Sequence, residues 1–72
     1  MILFSADWCK YCKVVKKFLD ENPDIQVDIV DVDEDMELPA KHGVKQLPAL
    51  LKADGDLMVE SQDIIEYLKT EQ

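Results

Sequence analysis

The sequence predicts an α/β fold: a minimal β-α-β-α-β-β-α order that folds into a four-stranded mixed sheet flanked by helices. Three observations carry that expectation. A short apolar opening is followed by a helical stripe and then by a β-branched alternating run. This is the pattern of a strand-helix-strand unit, whose strands pair in parallel through a right-handed crossover. Two further apolar runs flank Asp54-Gly55, a two-residue hairpin signal, and an amphipathic segment closes the chain.

Residues 1–4 are too few for an exposed alternating strand and read as a buried one, with residues 5–8 as the loop that follows. Over residues 10–21, Val14, Val15, Phe18 and Leu19 recur at helical spacing with lysines on the other face, and Asn22-Pro23-Asp24 ends the helix. Residues 25–32 alternate apolar and polar with one slip and are rich in β-branched side chains, which makes them a strand. A short helix is expected over residues 36–42, with Pro39 near its first turn and Gly43 as its stop. Residues 49–52 and 57–60 are the two strands of the hairpin. Ser61 is the expected N-cap of a last helix over residues 62–70, with Ile64, Ile65 and Leu68 on its buried face and Tyr67 beside them.

Seventy-two residues, 1–72, make one small domain, near the lower limit for a core without staples. Nearly half of the residues are hydrophobic, which suits a packed globule. No apolar run approaches 18 residues, and the opening Met1-Ile2-Leu3-Phe4 lacks a basic leader, so neither a membrane partner nor export is expected. Two closely spaced cysteines fit a reducing cytoplasm better than an extracellular framework. A net charge of −8, from eight lysines, no arginine and sixteen acids, argues against nucleic acid as a partner. The charge is uneven. Lys10, Lys13, Lys16 and Lys17 cluster at the first helix, with Lys41 and Lys45 later, whereas acids concentrate over residues 28–37. The lysines either support an anionic sulfur and steer acidic partners or form a solvated helix face.

Cys9 and Cys12 are the only cysteines and lie two residues apart across the expected strand-to-helix turn. That spacing puts one sulfur at the helix N-terminus and the other a turn further on, close enough for a small disulfide ring. First-turn N–H groups and the helix dipole favour an anionic sulfur, so Cys9 is the expected attacking thiolate, with a lowered pKa, and Cys12 the resolving thiol. Other readings of the pair stay open: a structural disulfide, or half of a zinc site with His42 as a third ligand. His42 otherwise reads as a helix-end residue. Trp8 either lids the sulfurs or packs as an ordinary aromatic.

The run Phe4-Ser5-Ala6-Asp7-Trp8-Cys9-Lys10-Tyr11-Cys12-Lys13 and the later Gly43-Val44-Lys45-Gln46-Leu47-Pro48-Ala49-Leu50-Leu51 resemble the two signature regions of the thioredoxin and glutaredoxin superfamily, and the resemblance spans nearly the whole chain. It implies the thioredoxin fold and a cis Pro48 facing the cysteines. A cis bond there would turn the Leu47 backbone toward a substrate segment for strand-like pairing. The short leading segment and Tyr11 are similar to glutaredoxins, whereas Trp8 and the Gly43 to Leu51 phrase look like thioredoxin. The buried acid that thioredoxins carry six residues before the first cysteine falls on Leu3.

Glutaredoxins cradle glutathione with a Gly-Gly pair, a Ser or Cys and two Asp. Here Val59 and Glu60 occupy the pair, Ser61 and Asp63 keep part of the pattern, and Gln62 replaces one Asp. Glu60 beside that cradle should oppose an anionic tripeptide. The resemblance therefore implies a glutaredoxin-sized protein acting on protein disulfides with a two-cysteine mechanism, of the kind that serves ribonucleotide reductase in some phages and bacteria. No bound cofactor is implied; glutathione or a flavoprotein reductase would return the electrons. Lys10 and Tyr11 would set the potential. Lys45, three residues before Pro48, would meet a carboxylate of glutathione or substrate, and a solvated lysine is its plain alternative. Two other classes remain: an iron-sulfur cluster shared between two monomers through glutathione, and an adaptor that only docks partners beside Pro48. A monomer is expected.

Overall fold

The computed structural model describes residues 1–70 and places strand β1, Ile2–Ser5, in the middle of a four-stranded sheet. The remaining elements are α1 at Lys10–Glu21, β2 at Asp28–Asp31, α2 at Glu37–Lys41, β3 at Ala49–Leu51, β4 at Leu57–Met58 and α3 at Ser61–Thr70. This is the predicted order. The expected domain of residues 1–72 ends on residues 71 and 72, which lie outside the described ones.

The sheet runs β2-β1-β3-β4, with β1 parallel to β2 and antiparallel to β3, and β3 antiparallel to β4. Leu3 sits opposite both Ile29 and Leu50. Ser5 belongs to β1 and pairs with Asp31, which corrects its assignment to the loop. Only Asp28–Asp31 of the expected 25–32 strand joins the ladder, because its parallel partner is itself four residues long. Ile25 and Val27 instead pack half-buried against the core.

One face of β1 and β3 carries the main core, in which Leu3 and Leu50 meet Val15 and Leu19 of α1 and Ile64 and Leu68 of α3. Burying each of these large side chains stabilises by about 2 kcal/mol. The buried stripe of α1 is Cys12, Val15 and Leu19, at helical intervals of three and four residues; Val14, expected inside, is exposed, and Phe18 is half-buried. Phe4 points to the opposite face, where its ring lies 6.3 Å from that of His42 at the end of α2. Helices therefore cover both faces.

Local chemistry sets the ends of the short elements. Asp35 Oδ1 accepts hydrogen bonds from the Glu37 and Leu38 amides at 3.1 and 3.2 Å and opens α2. Its exit is a Schellman turn: Gly43 N–H donates to Ala40 O at 3.3 Å and Val44 N–H to Pro39 O at 2.9 Å, with Gly43 at φ +70°. The hairpin loop is one residue longer than Asp54-Gly55 suggested. Leu51 pairs with Leu57, Lys52 N–H donates to Asp56 O, and Gly55 N–H donates to Lys52 O at 3.0 Å. Residues 53–55 thus form a three-residue loop with Gly55 at φ +95°. The first bond of α3 runs from Ile64 N–H to the Glu60 carbonyl, so Glu60, not Ser61, stands at the N-cap and Ser61 is the first helical residue.

Candidate active site

The turn from β1 into α1 assembles the site. Cys9 N–H donates to Ala6 O at 3.1 Å, folding Asp7 and Trp8 into a turn, and Cys9 then takes the N-cap position of α1. No Ser, Thr, Asp or Asn stands there. The Cys9 Sγ performs the capping itself, accepting from Cys12 N–H at 3.2 Å, while its carbonyl accepts from Lys13 N–H at 3.4 Å.

Cys9 and Cys12 form a disulfide with their Cα atoms 5.2 Å apart. The two sulfurs are not equivalent. Cys12 is fully buried in the inner stripe of α1, whereas Cys9 retains 6 % exposure at the tip of the helix. An incoming group meets Cys9 first. Of the two, only Cys9 also faces the helix N-terminus, where an amide donor and the dipole stabilise negative charge on sulfur. No acidic residue occupies the first turn of α1, and Lys10 is exposed at its first position.

Ala6 and the two cysteines form a small buried cluster on which Val32 and Leu47 pack. Leu47 precedes a cis peptide bond to Pro48, which is fully buried just before β3. The cis bond implied by the resemblance is present. Two grooves meet at Leu47. The first, about 510 Å³, lies between Tyr11 and the start of α3, over Leu47, Pro48 and Val59, and is bordered by Glu60, Ser61 and Asp63. The second is lined by Trp8, Val32, Pro39 and Val44 together with Leu47 and Lys45.

The residues expected at the site thus divide. Tyr11, Leu47, Pro48, Ser61 and Asp63 share the first groove. Lys45 lies with Trp8 in the second, on the other side of Leu47 from Ser61 and Asp63, and Lys10 lines neither groove. Trp8 is not a packed aromatic. It is 69 % exposed, and its indole Nε1 donates to Asp33 Oδ2 at 3.0 Å. Asp33 was missing from the sequence-based set, yet a signal for it existed: in a parallel strand-helix-strand unit the loops after both strands emerge side by side, so an acid after β2 can meet an indole after β1. His42 caps the end of α2 against Phe4, and among the described residues no three His, Cys, Asp or Glu side chains gather as a metal site would require.

Comparison with known proteins agrees with this fold. Residues 3–72 match the family model described as glutathione S-transferase, N-terminal domain. The chain is 35 % identical over 75 residues to thioredoxin of Listeria monocytogenes, covering 96 % of this chain and 70 % of that protein. It is 33 % identical over 63 residues to thioredoxin of Bacillus subtilis, covering 81 % of this chain and 61 % of the relative. Among solved structures, oxidised thioredoxin from Plasmodium falciparum superposes with a TM-score of 0.72 at 22 % identity, over 97 % of this chain and 77 % of that one. A structural genomics target protein from X. campestris, XcR50, superposes at 0.61 and 19 % identity, over 96 % and 95 %. At those identities the two structures establish the fold.

Proposed function

This chain belongs to the thioredoxin-like superfamily of thiol–disulfide oxidoreductases, and from that premise we propose that it reduces disulfides in other proteins through the Cys9–Cys12 dithiol. The observation that carries the reading is the asymmetry of the pair: a reachable Cys9 held at the N-terminus of α1, backed by a fully buried Cys12.

The Cys9 thiolate attacks one sulfur of the substrate disulfide; a mixed disulfide forms and the other substrate sulfur leaves as a thiolate. Cys12, after losing its proton, then attacks Cys9 Sγ. The second substrate thiolate departs and the Cys9–Cys12 disulfide closes, so two electrons pass to the substrate and both its sulfurs end as thiols. The helix N-terminus stabilises the Cys9 thiolate at the start of this sequence. The Leu47 backbone before the cis bond is the edge along which a substrate segment pairs, with Tyr11 and Trp8 on its two sides.

The finer reading places the protein among cytoplasmic monomeric donors for enzymes, such as ribonucleotide reductase, whose own cysteines oxidise at each turnover. Its electrons come from a flavoprotein reductase in preference to glutathione, because Val59 and Glu60 stand where a glutathione cradle has its glycine pair and Glu60 borders the groove where an anionic tripeptide would lie.

A Cys12→Ser variant tests the mechanism. Incubated in reduced form with a disulfide-containing protein, it should accumulate a covalent adduct through Cys9, released by dithiothreitol, whereas Cys9→Ser should form none. Equal trapping by both variants, or by neither, contradicts the assignment. Supplying the oxidised wild type with glutathione or with a thioredoxin reductase then decides the electron source.

A further inference from the structure

The groove beside Pro48 is bordered by two carboxylates, Glu60 and Asp63, and no lysine lines it. Both acids stand at the start of α3, Glu60 at the N-cap and Asp63 in the first turn. Their charges thus stand near the positive dipole end with which a bare helix N-terminus would hold an anion. Two carboxylates there offset the attraction of that helix end for anions, and the charged lining of the groove is negative. The rest of its lining combines the uncharged polar Gln46, Ser61 and Gln62, which can hydrogen-bond an extended peptide backbone, with Tyr11, Leu47, Pro48 and Val59, which suit aliphatic side-chain stems.

We infer that this groove selects protein substrates carrying lysine or arginine beside the reactive cysteine, with Glu60 and Asp63 as the residues that set the preference. The inference rests on the reading of Cys9 and Cys12 as the reacting dithiol. A cationic side chain lying along Val59 and Tyr11 would bring its charge to the two carboxylates, while an acidic flank would bring like charges together. At an exposed site each such contact is modest, and the two together give about a tenfold preference at low salt that falls as ionic strength rises.

The test uses short peptides closed by one disulfide and identical except for two lysines, two glutamates or two glutamines beside the cysteines. Their single-turnover reduction rates would be measured with wild type, with Glu60→Gln/Asp63→Asn, and with Glu21→Gln/Asp24→Asn. The last pair removes the same charge near the far end of α1. Wild type should reduce the lysine peptide about tenfold faster than the glutamate peptide at low salt. In the groove variant the ratio should shrink severalfold, with the lysine rate falling and the glutamate rate rising, a crossing that damage to the fold does not produce. The distal variant should keep the wild-type ratio. The inference is overturned if the groove variant keeps the full ratio, or if both variants reduce it equally, since net charge alone would then account for the preference. Failure of wild type to reduce even the glutamine peptide overturns the dithiol reading itself, and this inference with it.

Discussion

Trp8 and Asp33 are joined by a 3.0 Å hydrogen bond from the indole Nε1 to Oδ2, across a sequence separation of 25 residues. The bond ties the loop after β1 to the loop after β2. Asp33 is itself oriented, because its amide donates to Asp31 Oδ1 at 2.9 Å. It fixes an exposed aromatic at one wall of the second groove.

Asp33→Ala should therefore free the indole and lower kcat/KM for a protein disulfide about threefold, with less than about 1 kcal/mol of stability lost because the bond is exposed. Asp33→Asn keeps an acceptor and should retain most of the activity. Steady-state kinetics beside urea unfolding of the three proteins separates the two effects.

Reduced protein treated with limiting iodoacetamide should be alkylated at Cys9 alone. Cys12 is fully buried, while Cys9 is partly reachable and faces the donors of the helix N-terminus. Peptide mass spectrometry reads the site directly; equal labelling of both thiols would contradict the asymmetry on which the mechanism depends.

Ser5 should tolerate loss of its hydroxyl. Its Oγ is fully buried at the end of β1 and has no hydrogen-bond partner among the described residues. An unsatisfied buried hydroxyl costs about 1–3 kcal/mol, so Ser5→Ala should raise stability by about 1 kcal/mol, seen as a higher urea midpoint at unchanged m-value.

Gly43→Ala should destabilise by about 1 kcal/mol. A Cβ at this position would meet nothing within 4 Å, so the whole cost is that of holding an L-residue at φ +70° in the exit turn of α2. Thermal unfolding measures it.

Leu50→Ala removes a fully buried side chain from the middle of the sheet and should cost about 2–5 kcal/mol, comparable with the total stability of a domain this small. Circular dichroism in urea would show a largely unfolded chain well below the wild-type midpoint.

The elements that sequence located well are those whose signals are local. The bounds of α1 follow from its lysine-backed stripe and from Asn22-Pro23, and the closeness of Cys9 and Cys12 follows from their spacing across the strand-to-helix turn. What escaped depends on partners distant in the chain. The length of β2 is dictated by β1, not by its own alternation, and Val14 is exposed because the stripe of α1 is set by where α3 and the sheet lie. Asp33 read as one acid among many until the parallel pairing brought it to Trp8. The cis bond at Pro48 came from the family resemblance; nothing in the residues around it specifies an isomer.

The two outermost strands also govern how this molecule meets copies of itself. Backbone donors and acceptors left open along a sheet margin invite another chain to add a strand. Here one margin, β4, is two residues long, and the other, β2, carries Asp28 and Asp31 at its two ends. Neither offers a run long or neutral enough to template assembly. Strand addition is thereby discouraged along both sides of the sheet.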